Sequence, residues 1–293
     1  MKRNILLNPG PATTTDTVKQ ALVVPDICPR EEDFGQLTQS VLKKLAQVVN
    51  GQSSHSTVIF GGSGTAAVEA AVSSVVPENG KILILDNGAY GKRAETIIQA
   101  YGISHRTIRI EWGNFPDISQ IETVIKEEPK LTHFFFVHHE TTTGMLNPLA
   151  EILELCVKYG VDSIVDAMSS YAGLPIDLKR NPIDYLISSS NKCIQGMAGV
   201  SFVIANKEKL KVTSNVTPRN LYLNLWGNHS YIEQTGQFQF TPPVQIVYAL
   251  EQALNEFFNE TQSGRTARYV KSYETLLEGI EQTGLEILLP KSQ

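Results

Sequence analysis

The sequence predicts an α/β fold: a largely parallel, seven-stranded sheet flanked by helices. Three observations predict it. Between residues 58 and 207, seven short apolar, β-branched runs alternate with segments of helical period, the pattern of βαβ units. Most of these runs are continuously apolar, as strands buried on both faces require. Several end in Gly, Asp or a polar cluster, and an open parallel sheet gathers its ligand-binding loops at strand carboxyl ends.

Taken in order, Phe34, Leu37, Val41, Leu42, Leu45 and Val48 repeat at helical spacing until Gly51. Strands are expected at Val58 to Phe60, Lys81 to Asp86, His105 to Glu111, His133 to His138, Ser163 to Asp166, Tyr185 to Ser188 and Val200 to Ala205. Between them, a helix from Thr65 to Val76 stops before Pro77, and one from Gly91 to Tyr101 stops at Gly102. Asp117 with Gln120 resembles a capping box that opens a short helix. Asn147 and Pro148 read as N-cap and first helical residue, with Leu149, Ile152, Leu153 and Cys156 on one face and Gly160 as the stop.

After about residue 208 the pattern turns to polar loop, including Trp226 to His229. Two long amphipathic helices follow, Pro243 to Asn259 and about Thr266 to Gln282, and then a strand-like run from Leu285 to Leu289 that ends at Pro290. At 293 residues the chain has room for a sizeable core and the beginning of a second domain. The expected division is a large domain over residues 1–240, with the N-terminal segment, and an incomplete small α/β domain over residues 241–293.

Composition narrows the class. With 42% hydrophobic and 19% charged residues, and 21 Gly and 14 Pro, neither disorder, collagen nor coiled coil fits. A balance of 25 basic against 30 acidic residues gives no broad field for nucleic acid or anionic lipid. Cys28, Cys156 and Cys193 are too few for a disulfide scaffold and lack paired zinc spacing, so a reducing cytoplasm fits. The basic start, Met1 to Asn4, leads into an apolar run of only three residues, too short for a signal sequence, and no stretch is long enough to span a membrane.

Chemistry concentrates at the strand ends. Gly61-Gly62-Ser63-Gly64-Thr65 joins a strand to a helix with an Ala/Val face. Glycines allow close backbone approach, the helix start offers unpaired N–H groups, and two hydroxyls add donors, so the loop can cradle a phosphate. The same residues satisfy G-x-G-x-x-A, with Asp86 about 20 residues on, as a dinucleotide fold would want. A tight turn with a Ser or Thr cap is a third reading. Asp166 closes one run, and Lys192 follows another. Alone, each is ordinary, a helix cap and a solvated amine; together with a phosphate loop they are the parts of a pyridoxal phosphate site. His138-His139-Glu140 invites a metal reading, but adjacent strand residues point to opposite faces. Arg30 and Arg219 are candidates for an anionic substrate, and Cys193 for a thiol activated by its neighbour Lys192.

The order Ser63-Gly64-Thr65, Asn87-Gly88-Ala89-Tyr90-Gly91, His139-Glu140-Thr141-Thr142-Thr143-Gly144, Val165-Asp166-Ala167-Met168-Ser169 and Ser190-Asn191-Lys192 resembles the class V, fold type I pyridoxal-phosphate aminotransferases. Leu7 to Pro11, Pro25 to Phe34 and Gln237 to Pro243 are similar to the branch that transaminates 2-aminoethylphosphonate with pyruvate. The resemblance implies Lys192 as the lysine that carries pyridoxal 5′-phosphate and as the base that moves the proton. It implies Asp166 at the ring nitrogen, Ser63, Gly64 and Thr65 at the phosphate, Tyr90 stacked on the ring, and Thr141 and Met168 among the cofactor contacts. Thr241 would reach the phosphate of a neighbouring subunit, which implies a homodimer. The implied partners are a small-molecule amino donor and a 2-oxo acid, with no metal, nucleic acid or membrane.

The arginine for the substrate's acidic group is expected beyond residue 293, so a cofactor-binding but inactive fragment is one alternative. An alanine:glyoxylate or serine:pyruvate type aminotransferase is another, and a nicotinamide-dependent dehydrogenase on the G-x-G-x-x-A match is a third.

Overall fold

The structure, a computed structural model, describes residues 4–290; the basic residues Met1 to Arg3 lie outside them. The strands are β1 (His55–Gly61), β2 (Lys81–Asp86), β3 (His105–Arg109), β4 (Leu131–Val137), β5 (His139–Glu140), β6 (Met145–Leu146), β7 (Asp162–Asp166), β8 (Tyr185–Ser189) and β9 (Val200–Asn206). Seven of them form one sheet in the order β1-β9-β8-β7-β4-β2-β3, while β5 and β6 make a small hairpin. Within the seven-stranded sheet of the described residues, only β9 opposes its neighbours: it is antiparallel to β1 and β8, and the other pairs of that sheet are parallel. The other six strands therefore end at the same edge of the sheet.

Helices cover both faces because side chains alternate across each strand. Ile59, Leu83, Leu85, Phe134 and Phe136 point into one apolar layer. They meet α2 (Glu32–Val48), α5 (Ile118–Glu127), α6 (Leu149–Tyr159) and α9 (Val244–Glu260). Val58, Phe60, Ile82, Ile84, Phe135 and Val137 point into the other. There they meet α3 (Gly64–Val75), α4 (Ala89–Ala100), α7 (Lys207–Val212) and α8 (Leu225–Thr235). The short α1 (Asp16–Gln20) packs on α9 through Val18, and α10 (Gln262–Gln282) follows α9 after Thr261. α9 follows the expected domain division at residue 240, and its Val247, Leu250, Leu254 and Phe257 share the core with α2.

Three expectations fail for physical reasons. Asn147 does not cap α6. Its amide donates to the Val137 carbonyl at 2.7 Å and pairs with Asn87, and Pro148 is the N-cap residue instead. The stretch expected as polar loop after residue 208 holds α7 and α8. Asn206 caps α7 and Asn224 caps α8, so the capping side chains carried more information than the weak apolar pattern. Leu285 to Leu289 is not a strand: no neighbouring strand pairs with it among the described residues, and Leu285 and Leu288 remain exposed. Gly160, by contrast, ends α6 in the left-handed conformation (φ 64°, ψ 34°), as expected.

One glycine shows how tightly α4 is seated on the edge of the sheet. A Cβ on Gly91 would lie 2.6 Å from the Leu85 carbonyl oxygen and 2.9 Å from the Asp86 Cα, both backbone atoms that cannot swing away. Gly91→Ala should therefore destabilise the fold by roughly 2 kcal/mol. In urea denaturation this appears as a lower midpoint at unchanged slope, and an unchanged midpoint would contradict the packing described.

Candidate active site

The loops after β1, β2, β7 and β8 meet above the sheet edge around a cavity of about 490 Å³. It is lined by Ser63, Gly64 and Thr65 from the β1 turn, Tyr90 and Arg93 from α4, Asp166 and Met168 after β7, and Asn191 and Lys192 after β8. Seven residues singled out from sequence thus line one space although they come from four separate loops. Thr141 and Thr241 do not line it. The Thr141 hydroxyl is 2.6 Å from Ser169 Oγ, two residues before which the β7 loop leaves the sheet, and Thr241 is exposed at the start of the α9 segment.

Ser63 is the N-cap residue of α3, yet its hydroxyl caps no helix amide and is left to face the cavity. The first turn of any helix leaves N–H groups unpaired, so this loop presents several donors and the positive end of a helix dipole. A Cβ on Gly64 would lie 2.6 Å from Met168 Sδ and Cε, so a larger residue there would displace the Met168 side chain. Met168 thus closes the floor beside the loop.

Asp166 is 4% exposed, and its Oδ1 accepts from the Met168 amide at 2.9 Å. Burial pushes its carboxyl up to about 6; the Met168 amide opposes the rise, nearby Glu140 adds to it, and Lys192 and Arg93 draw it down. A cationic hydrogen-bond donor in the cavity would settle this carboxylate. Lys192 has its amine against Gly10, where a Cβ would lie 2.6 Å from Lys192 Cδ, and the Ala12 amide donates to the Asn191 carbonyl at 2.8 Å. The segment Leu7 to Pro11 therefore lies beside the lysine.

Phosphate-type donors, an aromatic face at Tyr90, a buried carboxylate and a primary amine in one cavity match what pyridoxal phosphate offers: a phosphate, a flat ring, a basic ring nitrogen and an aldehyde. The residues fit that group.

The dinucleotide reading fails on topology. β1 lies at the sheet edge, antiparallel to its neighbour, and four strands separate it from β2 and Asp86, where a dinucleotide fold needs them parallel and adjacent. Asp86 is buried beside Arg109 and Glu95 instead. His138 and His139 have separate partners, Ser170 Oγ and the Gly144 carbonyl, and burial drives His138 down to about 4. Arg30 and Arg219 are also engaged elsewhere. Arg30 holds the Phe238 and Gln239 carbonyls, tying the segment Pro25 to Phe34 to Gln237 to Pro243, and Arg219 holds the Ser73 and Val76 carbonyls. Burial pushes the Cys193 thiol up, contrary to an activated thiol. The arginine in the cavity is Arg93, 4.7 Å from the Tyr90 ring centroid. Its place three residues after Tyr90, on the same helix face, was the signal available in the sequence.

A model of class-V aminotransferases matches residues 18–291. The chain belongs to this family. It is a pyridoxal-phosphate-dependent aminotransferase of fold type I. The chain is 40% identical over 287 residues to a 2-aminoethylphosphonate–pyruvate transaminase of Pseudomonas putida, covering 98% of this chain and 77% of that one. A protein of the same name from Paraburkholderia phymatum is 40% identical over 286 residues, covering 97% and 77%. Among solved structures, alanine–glyoxylate aminotransferase from Nostoc sp. superposes with a TM-score of 0.93 at 28% identity, over 100% of this chain and 78% of that chain.

The raised Asp166 carboxyl has a consequence for stability without cofactor. The folded protein keeps a proton there that the unfolded chain releases near pH 4. The group's contribution is therefore complete below pH ~4 and is lost as pH rises through ~6, by up to about 3 kcal/mol. Asp166→Asn removes that loss while keeping an acceptor for the Met168 amide. Thermal unfolding of the cofactor-free variant at pH 8 should occur at or above the parent's temperature; a drop of several degrees would mean that the carboxylate is compensated in the folded protein.

Proposed function

We propose that this aminotransferase moves the amino group of 2-aminoethylphosphonate to pyruvate, giving phosphonoacetaldehyde and L-alanine. The single observation that carries the site assignment is the meeting of Lys192, Asp166, Tyr90 and the Ser63-Gly64-Thr65 loop in one cavity. The substrate assignment is supported by the 40% identity to relatives of that name. It is supported also by the N-terminal segment beside Lys192.

Bound pyridoxal phosphate supplies an aldehyde that accepts amines and a protonated ring that withdraws electrons from the donor carbon. The chain's own residues do the rest. Ser63, Gly64 and Thr65 bind the phosphate through hydroxyls and helix-start amides. Asp166, as a buried carboxylate lining the cavity, would hold a proton on the ring nitrogen when the cofactor is bound. Tyr90, in the cavity lining, would stack on the ring and exclude water. Lys192, whose side chain lines the cavity, would be the amine that holds the cofactor and, when free, the base that moves the proton at the donor's amino-bearing carbon. Met168 packs beneath the phosphate loop, and Thr141 braces the β7 loop through Ser169. Thr241, exposed in one chain, is available to the phosphate of a second subunit in a cytoplasmic homodimer.

The test supplies 2-aminoethylphosphonate and pyruvate and follows alanine and phosphonoacetaldehyde. Both should form, and Lys192→Ala should lower the rate by at least about a hundredfold. Turnover of alanine with glyoxylate and none with the phosphonate would replace the proposed substrate with that of the Nostoc neighbour's type.

A further inference from the structure

Arg265, in the first turns of α10, is only 2% exposed. Burying a guanidinium is costly unless every donor is matched, so its partners show what it is for. Its Nε donates to Glu260 Oε2, and its Nη1 donates to the Cys193 carbonyl at 2.6 Å. Its guanidinium carbon lies 5.4 Å from the Phe257 ring centroid. Cys193 is the residue after Lys192. Arg268 holds the other oxygen of Glu260 at 2.6 Å and reaches Gln195 Oε1 at 3.4 Å, while Gln195 Nε2 donates to the Tyr269 hydroxyl at 3.1 Å.

The same turns grip the loop that follows Asp166. Gln262 Nε2 donates to the Ala172 carbonyl at 3.4 Å, and the Thr266 hydroxyl donates to the Gly173 carbonyl at 3.0 Å. Cys193 Sγ in turn contacts the Ser169 carbonyl at 3.4 Å. Each loop contains a non-glycine residue in the left-handed region, Ala172 at φ 64° and Gln195 at φ 65°. Such residues persist where surrounding contacts over-determine them. Here those contacts come from one end of one helix.

We infer that Arg265 is a positioning residue for Lys192: by holding the Cys193 carbonyl and pairing with Glu260, it fixes the loop that aims the lysine amine into the cavity. The inference rests on the reading of Lys192 as the cofactor lysine. An apolar side chain of similar volume would fill the space but leave the Cys193 carbonyl without its donor, while Arg268 would still hold Glu260.

The test compares the parent with Arg265→Lys and, as a gentler change on the same clamp, Tyr269→Phe. Three quantities are read on the full chain. Amide exchange without cofactor is measured at Gln195 and Gly196, whose N–H groups bond to the Lys192 and Ser190 carbonyls at 2.8 and 2.7 Å. The rate at which added pyridoxal phosphate becomes fixed to Lys192 under borohydride is measured by peptide mapping. The affinity for 4′-deoxypyridoxine 5′-phosphate, which lacks the aldehyde, reads the rest of the cavity.

In Arg265→Lys, exchange at the two amides should rise about tenfold while the β2 and β4 amides keep their protection. Fixation to Lys192 should slow by about tenfold, and affinity for the analogue should change less than about twofold. Tyr269→Phe should shift exchange and fixation in the same directions by about two- to threefold, and it decides the matter if Arg265→Lys fails to fold. Unchanged exchange at Gln195 and Gly196, or an analogue affinity that falls in parallel with fixation, overturns the inference. Fixation in the parent at a lysine other than Lys192 would overturn the site reading instead, and the exchange data would still report on the clamp.

Discussion

The direction of the strands is the constraint on which the site depends. Six of the seven sheet strands run the same way, so the turns after β1, β2, β7 and β8 are delivered to one edge whatever their distance in sequence. Ser63 and Lys192 are more than a hundred residues apart, yet both face the same cavity. The single reversed strand of this sheet, β9, lies between β1 and β8, and α3 packs across β8 and β9 with its first residues lining the cavity.

The electrostatics of that edge are arranged by burial as much as by partners. Asp166 is held in a desolvated niche with one backbone donor, so its carboxyl rises to about 6 and the folded chain alone does not fully compensate its charge. Opposing helix-start amides at Ser63 to Thr65 carry the complementary sign. An elongated group with a phosphate at one end and a basic nitrogen at the other answers both. Around this pair, the contacts that fix geometry lie one layer out: Thr141 on Ser169, Met168 against Gly64, and Arg265 on the Cys193 carbonyl.

The seven strands were legible in the sequence because a buried parallel strand is written as a continuous apolar run, and each of the seven runs between residues 58 and 207 falls where the sheet has a strand. The residues that line the candidate site were legible for the same reason: they follow those runs directly. What was hidden depends on tertiary partners. Asn147 has the sequence context of a helix cap, but the Val137 carbonyl and Asn87 claim its amide. Arg93 reads as a surface residue of an amphipathic helix until α4 is set against the sheet edge. Arg265 reads as one more charge on α10, and only the return of that helix onto the loop after β8 shows why it is buried. Leu285 to Leu289 has strand composition without a strand neighbour among the described residues, and composition cannot supply one.

The assignment of Lys192 is the claim on which the chemistry turns, and covalent mapping tests it most directly. The protein is loaded with pyridoxal phosphate, reduced with borohydride, digested and analysed by mass spectrometry. A pyridoxyl group confined to Lys192, and absent when Lys192 is replaced by alanine, is the predicted result. Label on another lysine, or label that persists in the alanine variant, would contradict the account.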